Sequence, residues 1–210
     1  MKIRYVLPSL FIILLTLFIF INNRYVFVYS KKCNLKYTYG IIDARVSNSH
    51  ENVVFNKDHN ESDSTSHGDM MIHFAQDICE NLKIQYYDAS DNEGNINTNA
   101  IIDGLEWMIS NKVDRVNISL STKTYSRELE SWINEHYNDI KIYASYNNLI
   151  NTKDYPAMYD HVIGSGTDNR IVYKKEDLKY LSNDIKLFYD INKEYIGNSY
   201  LSIYSMLKGS

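Results

Sequence analysis

Short, largely apolar runs rich in β-branched and aromatic residues alternate along the chain with stretches whose apolar residues recur every three or four positions. The runs are TYGIIDA (38–44), KIQYYDA (83–89), RVNISLS (115–121), KIYASY (141–146) and HVIGSG (161–166). Strands of this kind are buried on both faces, as in parallel sheets. Between them, 69–82 carries Met70, Met71, Phe74, Ile78 and Leu82 at helical spacing. The segment 98–111 carries Ile101, Leu105, Met108 and Ile109 behind a Thr98 or Asn99 cap. A third helix is expected over 125–137, and a last one opening at Ser199. This alternation predicts a three-layer α/β fold, a mostly parallel sheet with helices on both faces. The polar stretches 47–66 and 90–99 read as surface loops.

One apolar segment does not fit that pattern. From Tyr5 to Ile21 the chain is apolar apart from Pro8, Ser9 and Thr16, with no polar face. At 1.5 Å per residue it comes close to spanning a hydrocarbon core of roughly 30 Å. No small-residue cleavage site follows it, so a retained signal-anchor over 1–30 is favoured over a removed signal peptide. The expected organisation is a single-pass anchor (1–30) followed by one domain (31–210), with secretion after cleavage as the alternative. Lys2 and Arg4 favour a cytoplasmic N-terminus, although Arg24, Lys31 and Lys32 follow the span.

Charge narrows the partners. Three of the 22 basic residues and none of the 26 acidic ones lie in 1–30, leaving a net −7 on the remainder. An acidic domain without a basic stripe argues against nucleic acid. The two cysteines, Cys33 and Cys79, have no metal-type spacing and form no disulfide framework; Cys79 reads as a buried thiol on the apolar side of a helix.

In a parallel sheet, functional groups gather at the carboxyl ends of the strands and at the helix starts beside them. Asp43 closes the first strand and Asp88 the second, Ser119 and Ser121 close the third, and Asn147 follows the fourth. His67 opens the first helix and Ser199 the last. Each has an ordinary explanation alone: a turn aspartate, a surface histidine, a turn asparagine, an N-cap serine. Together, an acid, a histidine, an amide and a serine on one rim are the inventory of an acyl-transfer site. His67 and His73 are six apart and do not make the i, i+4 zinc pair. DASDNEGN lacks the sixth-position glycine and closing glutamate of a calcium loop. No metal or cofactor is implied.

These segments resemble the subtilisin-like serine peptidases, the subtilases. GIIDARV is similar to the strand ending in the catalytic aspartate, STSHGDMMIHFA to the His-Gly helix start, and GNSYLSIYSML to the nucleophile helix. The 39 residues from Lys83 to Ser121 resemble the family's central strand-loop-helix-strand block. KIYASYNN and the following DYPAMYDHVIGSGTD resemble the oxyanion-asparagine strand and the segment after it. The order Asp, His, Asn, Ser is the family's, unlike that of α/β-hydrolases or chymotrypsin-like enzymes. The resemblance implies a serine endopeptidase with Asp43, His67 and Ser199 as the triad and Asn147 in the oxyanion hole. It implies a peptide or protein substrate, bound along Ser119, Leu120, Ser121, Ala144, Ser145 and Tyr146.

The chain departs from the family pattern at several points. Ala44 and Arg45 follow the aspartate, Asn198 replaces the threonine before Ser199, and Ser121 and Tyr146 replace glycines of the primary pocket. Few residues separate Ser30 from Asp43, so the family's propeptide is not expected. The added bulk at Tyr146 and Ser121 either narrows the pocket toward small side chains or blocks it. Two functions follow: an extracytoplasmic, membrane-tethered serine endopeptidase that processes a secreted peptide, or a catalytically silent subtilase-like module that binds peptides or proteins.

Overall fold

Two adjacent isoleucines show how the strands build the core. Successive side chains of a strand point to opposite faces, so Ile41 enters one hydrophobic cluster and Ile42 the other, both fully buried. The computed structural model describes residues 8–17, 25–28, 36–47, 49–58, 64–148, 154–167, 180–182, 186–189 and 193–208. In chain order the elements are α1 (residues 8–17), β1 (Tyr25–Val28), β2 (Tyr39–Asp43), β3 (Val53–Phe55), α2 (His67–Ile78), β4 (Ile84–Asp88), α3 (Thr98–Ser110), β5 (Arg115–Ile118), α4 (Arg127–His136), β6 (Lys141–Ser145), β7 (Val162–Thr167), β8 (Tyr180–Ser182), β9 (Lys186–Tyr189), β10 (Lys193–Ile196) and α5 (Asn198–Lys208).

Seven parallel strands pair in the order β3-β4-β2-β5-β6-β7-β8. The α2–α5 side is packed by Met71, Phe74, Ile78, Leu201 and Ile203, and the α3–α4 side by Leu105, Met108, Trp132 and Ile133. The expected three layers are therefore present. Chain direction across the sheet reverses at β2: the earlier strands lie to one side and the later ones to the other. Crevices at the carboxyl ends beside such a switch are where open α/β sheets hold ligands, and Asp43 ends β2 there. A second, three-stranded sheet has the order β1-β9-β10, with β1 parallel to β9 and β10 antiparallel to it.

Polar bonds fix α5 on the sheet beneath it. The Ser202 hydroxyl donates to the Asn117 side-chain oxygen, and the Asn117 amide donates to Ser119. Ser205 and Ser165 hydroxyls lie 3.1 Å apart, and the Arg115 guanidinium donates to the Met206 carbonyl at 3.1 Å. All these side chains are buried, where satisfied polar pairs set a unique register.

The structure corrects several expectations. Val53–Phe55 forms edge strand β3 inside the stretch expected to be a loop; it is too short to show a period. Asn97, rather than Thr98 or Asn99, caps α3, its side-chain oxygen accepting the Ala100 N–H at 2.9 Å. Cys79 is buried as expected but is disulfide-bonded, not a free thiol; the chain's other cysteine, Cys33, lies outside the described residues. No helix among the described residues is long and apolar enough to cross a membrane. α1 covers 8–17 with exposed apolar side chains, while residues 5–7 and 18–21 of the expected span lie outside the described residues.

Asp69 anchors the start of α2. Its carboxylate accepts the Ser66 N–H at 2.7 Å in a capping box, the Ser47 N–H at 3.1 Å, and His50 Nε2 at 2.7 Å. These bonds outweigh burial and hold its pKa down at about 2. A depressed carboxylate stabilises the fold above its unfolded pKa and loses that contribution as pH falls through the folded value. Asp69→Ala is expected to cost about 3 kcal/mol at neutral pH, from the lost cap and an unpaired buried histidine. In denaturant unfolding, the deficit relative to wild type should shrink as pH falls from about 4 toward about 2.

Candidate active site

Asp43 is fully buried at the end of β2, where an ionised carboxylate must be hydrogen-bonded. The His67 Nδ1–H lies 2.8 Å from Oδ2 and 3.0 Å from Oδ1, and the Ala44 N–H donates to Oδ1 at 2.7 Å. Burial pushes the Asp43 pKa up, and the bonds from His67 and Ala44 oppose it. The bond to Asp43 raises the His67 pKa above its ordinary value, with burial opposing. The aspartate holds the neutral ring as the Nδ1–H tautomer, which leaves the Nε2 lone pair free to take a proton. With 42% of its side chain exposed, His67 presents that edge outward.

The residue after His67 explains how the helix gets so close. A Cβ on Gly68 would sit 2.0 Å from the Tyr86 hydroxyl and 3.0 Å from Val46. Only glycine lets the first turn of α2 rest on Tyr86. Tyr86 is itself fixed, its hydroxyl donating to the Ala44 carbonyl beside Asp43.

Ser199 stands in the first turn of α5, half-buried. Gly197 precedes it with φ 136, a conformation that side-chain-bearing residues rarely adopt. Asn198 ties this turn to the loop after β6. Its side-chain amide donates to the carbonyls of Tyr146 at 3.1 Å and Asn147 at 2.8 Å, while Asn148 accepts its backbone N–H at 2.9 Å. Asn147 is held further by its N–H, which donates to Asp154 at 2.9 Å. α5 also packs on α2: the Tyr200 ring meets Phe74 edge-on at 5.0 Å, and its hydroxyl reaches Met70 Sδ at 3.7 Å. Tyr200 adjoins Ser199, and Met70 lies one turn from His67. Among the described residues no hydrogen bond joins the Ser199 hydroxyl to His67.

The residues expected to bind substrate divide by exposure. Leu120 and Ser121 line an open cleft of about 430 Å³ with Ile96, Ile101, Thr122 and Tyr155. Ser119, Ala144 and Ser145 are buried in the sheet, and Tyr146 is half-buried. A larger cleft, about 470 Å³, includes Asp114, Arg115 and Lys141 at the amino ends of β5 and β6; it opens at the edge opposite Asp43 and carries none of these groups. Arg45, at a departure from the family pattern, donates to the Asp91 and Asn92 carbonyls at 3.3 and 3.4 Å, bracing the loop after β4.

Sequence reading missed the Asp69–His50 pair and the Asn198 tie. The first carried a signal, the Ser66-x-x-Asp69 spacing of a capping box; the second joins residues some 50 positions apart and carried none.

Comparison with known proteins places this arrangement. No protein-family model matches the chain. Over 95 residues it is 30% identical to the minor extracellular protease Epr of Bacillus subtilis (strain 168), covering 44% of this chain and only 15% of that protein. Among solved structures it is similar to a cold-adapted subtilisin-like serine proteinase, with a TM-score of 0.61 and 18% identity over 84% of this chain and 75% of the other. It is also similar to the psychrophilic subtilisin-like protease Apa1 of the Antarctic psychrotroph Pseudoalteromonas sp. AS-11, with a TM-score of 0.55 and 18% identity over 70% of this chain and 41% of that one. The Asp43–His67 pair and the α5 start thus sit in a chain with the fold of the subtilisin-like proteases.

Proposed function

We propose that this chain is a serine endopeptidase, tethered to a membrane and acting outside the cytoplasm, with Asp43, His67 and Ser199 as its triad. The observation that carries the proposal is the buried Asp43 carboxylate bonded to His67 Nδ1, at the sheet edge where α2 and α5 meet. Ser199 attacks the substrate carbonyl while His67 Nε2 takes its proton and later gives it to the leaving amine; Asp43 stays ionised and stabilises the imidazolium. The tetrahedral oxyanion is held by the Asn147 side chain and the Ser199 N–H, at the positive end of the α5 dipole. Water then releases the acyl group by the same proton route. The cleft beside Leu120 and Ser121 receives the substrate chain.

Three observations favour an anchored, extracytoplasmic enzyme with an anchor over 1–30 and a peptidase domain over 31–210. The apolar side chains of α1 are exposed. The strand after it, β1, pairs with β9 in the sheet whose β10 leads into α5, so cleavage after residue 30 would strip an edge strand from that sheet. The disulfide at Cys79 suits an oxidising compartment. The open link between Ser199 and His67 favours a second reading, a silent peptide-binding module, although apo enzymes often tighten this bond only with substrate.

A fluorophosphonate probe decides between them: wild type is expected to label and Ser199→Ala not, while a folded wild type that stays unlabelled supports the binding module. Turnover should fall about 10⁴-fold in Asp43→Asn and about 10²–10³-fold in Asn147→Ala, the latter figure being that of subtilisin's own oxyanion asparagine. Because Asp43 raises the His67 pKa, kcat/KM should rise with pH through a midpoint above the ordinary histidine value of ~6.5, and residual Asp43→Asn activity should show a lower midpoint. Intact mass of the mature, membrane-extracted protein should include residues 1–30.

A further inference from the structure

Tyr146 lies directly before the proposed oxyanion asparagine, and its ring rests on a floor made of glycines. A Cβ on Gly164 of β7 would sit 2.7 Å from the Tyr146 hydroxyl and 2.8 Å from Cε2; one on Gly166 would sit 2.8 Å from Cδ2. The ring therefore takes up the space those two missing side chains leave. It is held there by the hydroxyl, which donates to the Ala157 carbonyl at 3.1 Å, and by its N–H, which donates to the Ser165 carbonyl at 2.8 Å. Asn198, next to Ser199, donates to the Tyr146 carbonyl at 3.1 Å and the Asn147 carbonyl at 2.8 Å, so this ring and its glycine floor lie beside the proposed nucleophile and oxyanion asparagine. We infer that Tyr146 fills the pocket for the side chain before the cut and restricts the enzyme to cleavage after glycine, alanine or serine. The inference rests on the peptidase reading above.

The ring takes depth from the pocket but does not line the cleft beside Leu120 and Ser121. The neighbouring cleft of about 430 Å³, bordered by Leu120, Ser121 and Tyr155, remains available to the rest of an extended substrate. Restriction, rather than closure, follows from that arrangement.

The test uses the full chain in detergent with tetrapeptide anilides differing only at the residue before the scissile bond. Wild type should favour alanine over phenylalanine by about 10²-fold in kcat/KM, the scale on which a pocket discriminates by size. Tyr146→Gly should raise cleavage after phenylalanine at least about 10-fold and narrow that ratio. Tyr146→Phe, which keeps the ring and loses the bond to Ala157, should keep the preference for alanine. Wild type that cuts after phenylalanine as well as after alanine overturns the inference and leaves the peptidase reading standing. So does an unchanged ratio in Tyr146→Gly, or a broadened one in Tyr146→Phe. Fluorophosphonate labelling that arises only in Tyr146→Gly means the pocket is shut rather than narrowed, and also overturns it. Absence of labelling and of cleavage in folded wild type and Tyr146→Gly alike defeats the peptidase reading, and this inference with it.

Discussion

A carboxylate with no exposure to water, at the end of the central strand, is the constraint on which the site depends. Removing such a charge from water costs several kcal/mol after relaxation, and Asp43 makes that worse by its register with Asp88 on β4, whose charge also raises the Asp43 pKa. The surroundings offset this from two directions. The Ala44 N–H and His67 Nδ1–H donate to the Asp43 oxygens. Lys57 lies 3.2 Å from the Asp88 carboxylate, which also accepts the Ser90 N–H at 2.8 Å. The histidine is therefore oriented and also required: without a donor at Nδ1, the buried acid would lose its chief opposing interaction. Structure and proposed chemistry use the same bond.

The Ser199 side is fixed by different physics. Hydrogen bonds under α5 hold it, through Ser202–Asn117, Ser205–Ser165, the Arg115 guanidinium on the Met206 carbonyl and the Asn198 amide bridging two carbonyls of the β6 loop. Such bonds are individually worth about 1 kcal/mol, but each is directional, and leaving a buried partner unmade costs more than making it gains. Asn198 stands where the subtilase resemblance leads one to expect a threonine, and its amide spans from the helix start to the loop bearing Asn147. The departure reads as a loss in the sequence; in the structure it couples the two groups proposed to share one oxyanion.

What was legible in the sequence follows from the range of the interactions. Doubly buried strands such as TYGIIDA and helices such as 98–111 announce themselves by local pattern, because one periodicity decides which face is apolar. β3 escaped notice because three residues, VVF, between polar neighbours are too few to show a period. The small sheet of β1, β9 and β10 joins segments about 160 residues apart by backbone pairing, and nothing in either segment names its partner. His67 was legible through its glycine, yet the reason for that glycine, the Tyr86 hydroxyl lodged where a Cβ would be, was not. Arg45 and Asn198 looked like erosion because a linear comparison registers the missing residue and is blind to the hydrogen bonds its replacement makes.

The start of α2 carries two histidine–carboxylate pairs, and their difference separates proposed machinery from scaffold. His50 bonds Asp69 at 2.7 Å and His67 bonds Asp43 at 2.8 Å, almost the same contact. The His50 side chain is only 3% exposed and packs edge-on against His73 at 4.8 Å, so its ring has no route to a substrate. His67 has the same kind of anchor but is 42% exposed on the side away from it. A proton carrier needs one nitrogen held and the other free, and of these two histidines His67 alone meets both conditions. The buried pair contributes something else: by fixing Asp69, and through it Ser66 and Ser47, it sets the helix turn from which His67 projects. The His67–Asp43 pair thus projects from a helix turn that the buried His50–Asp69 pair braces.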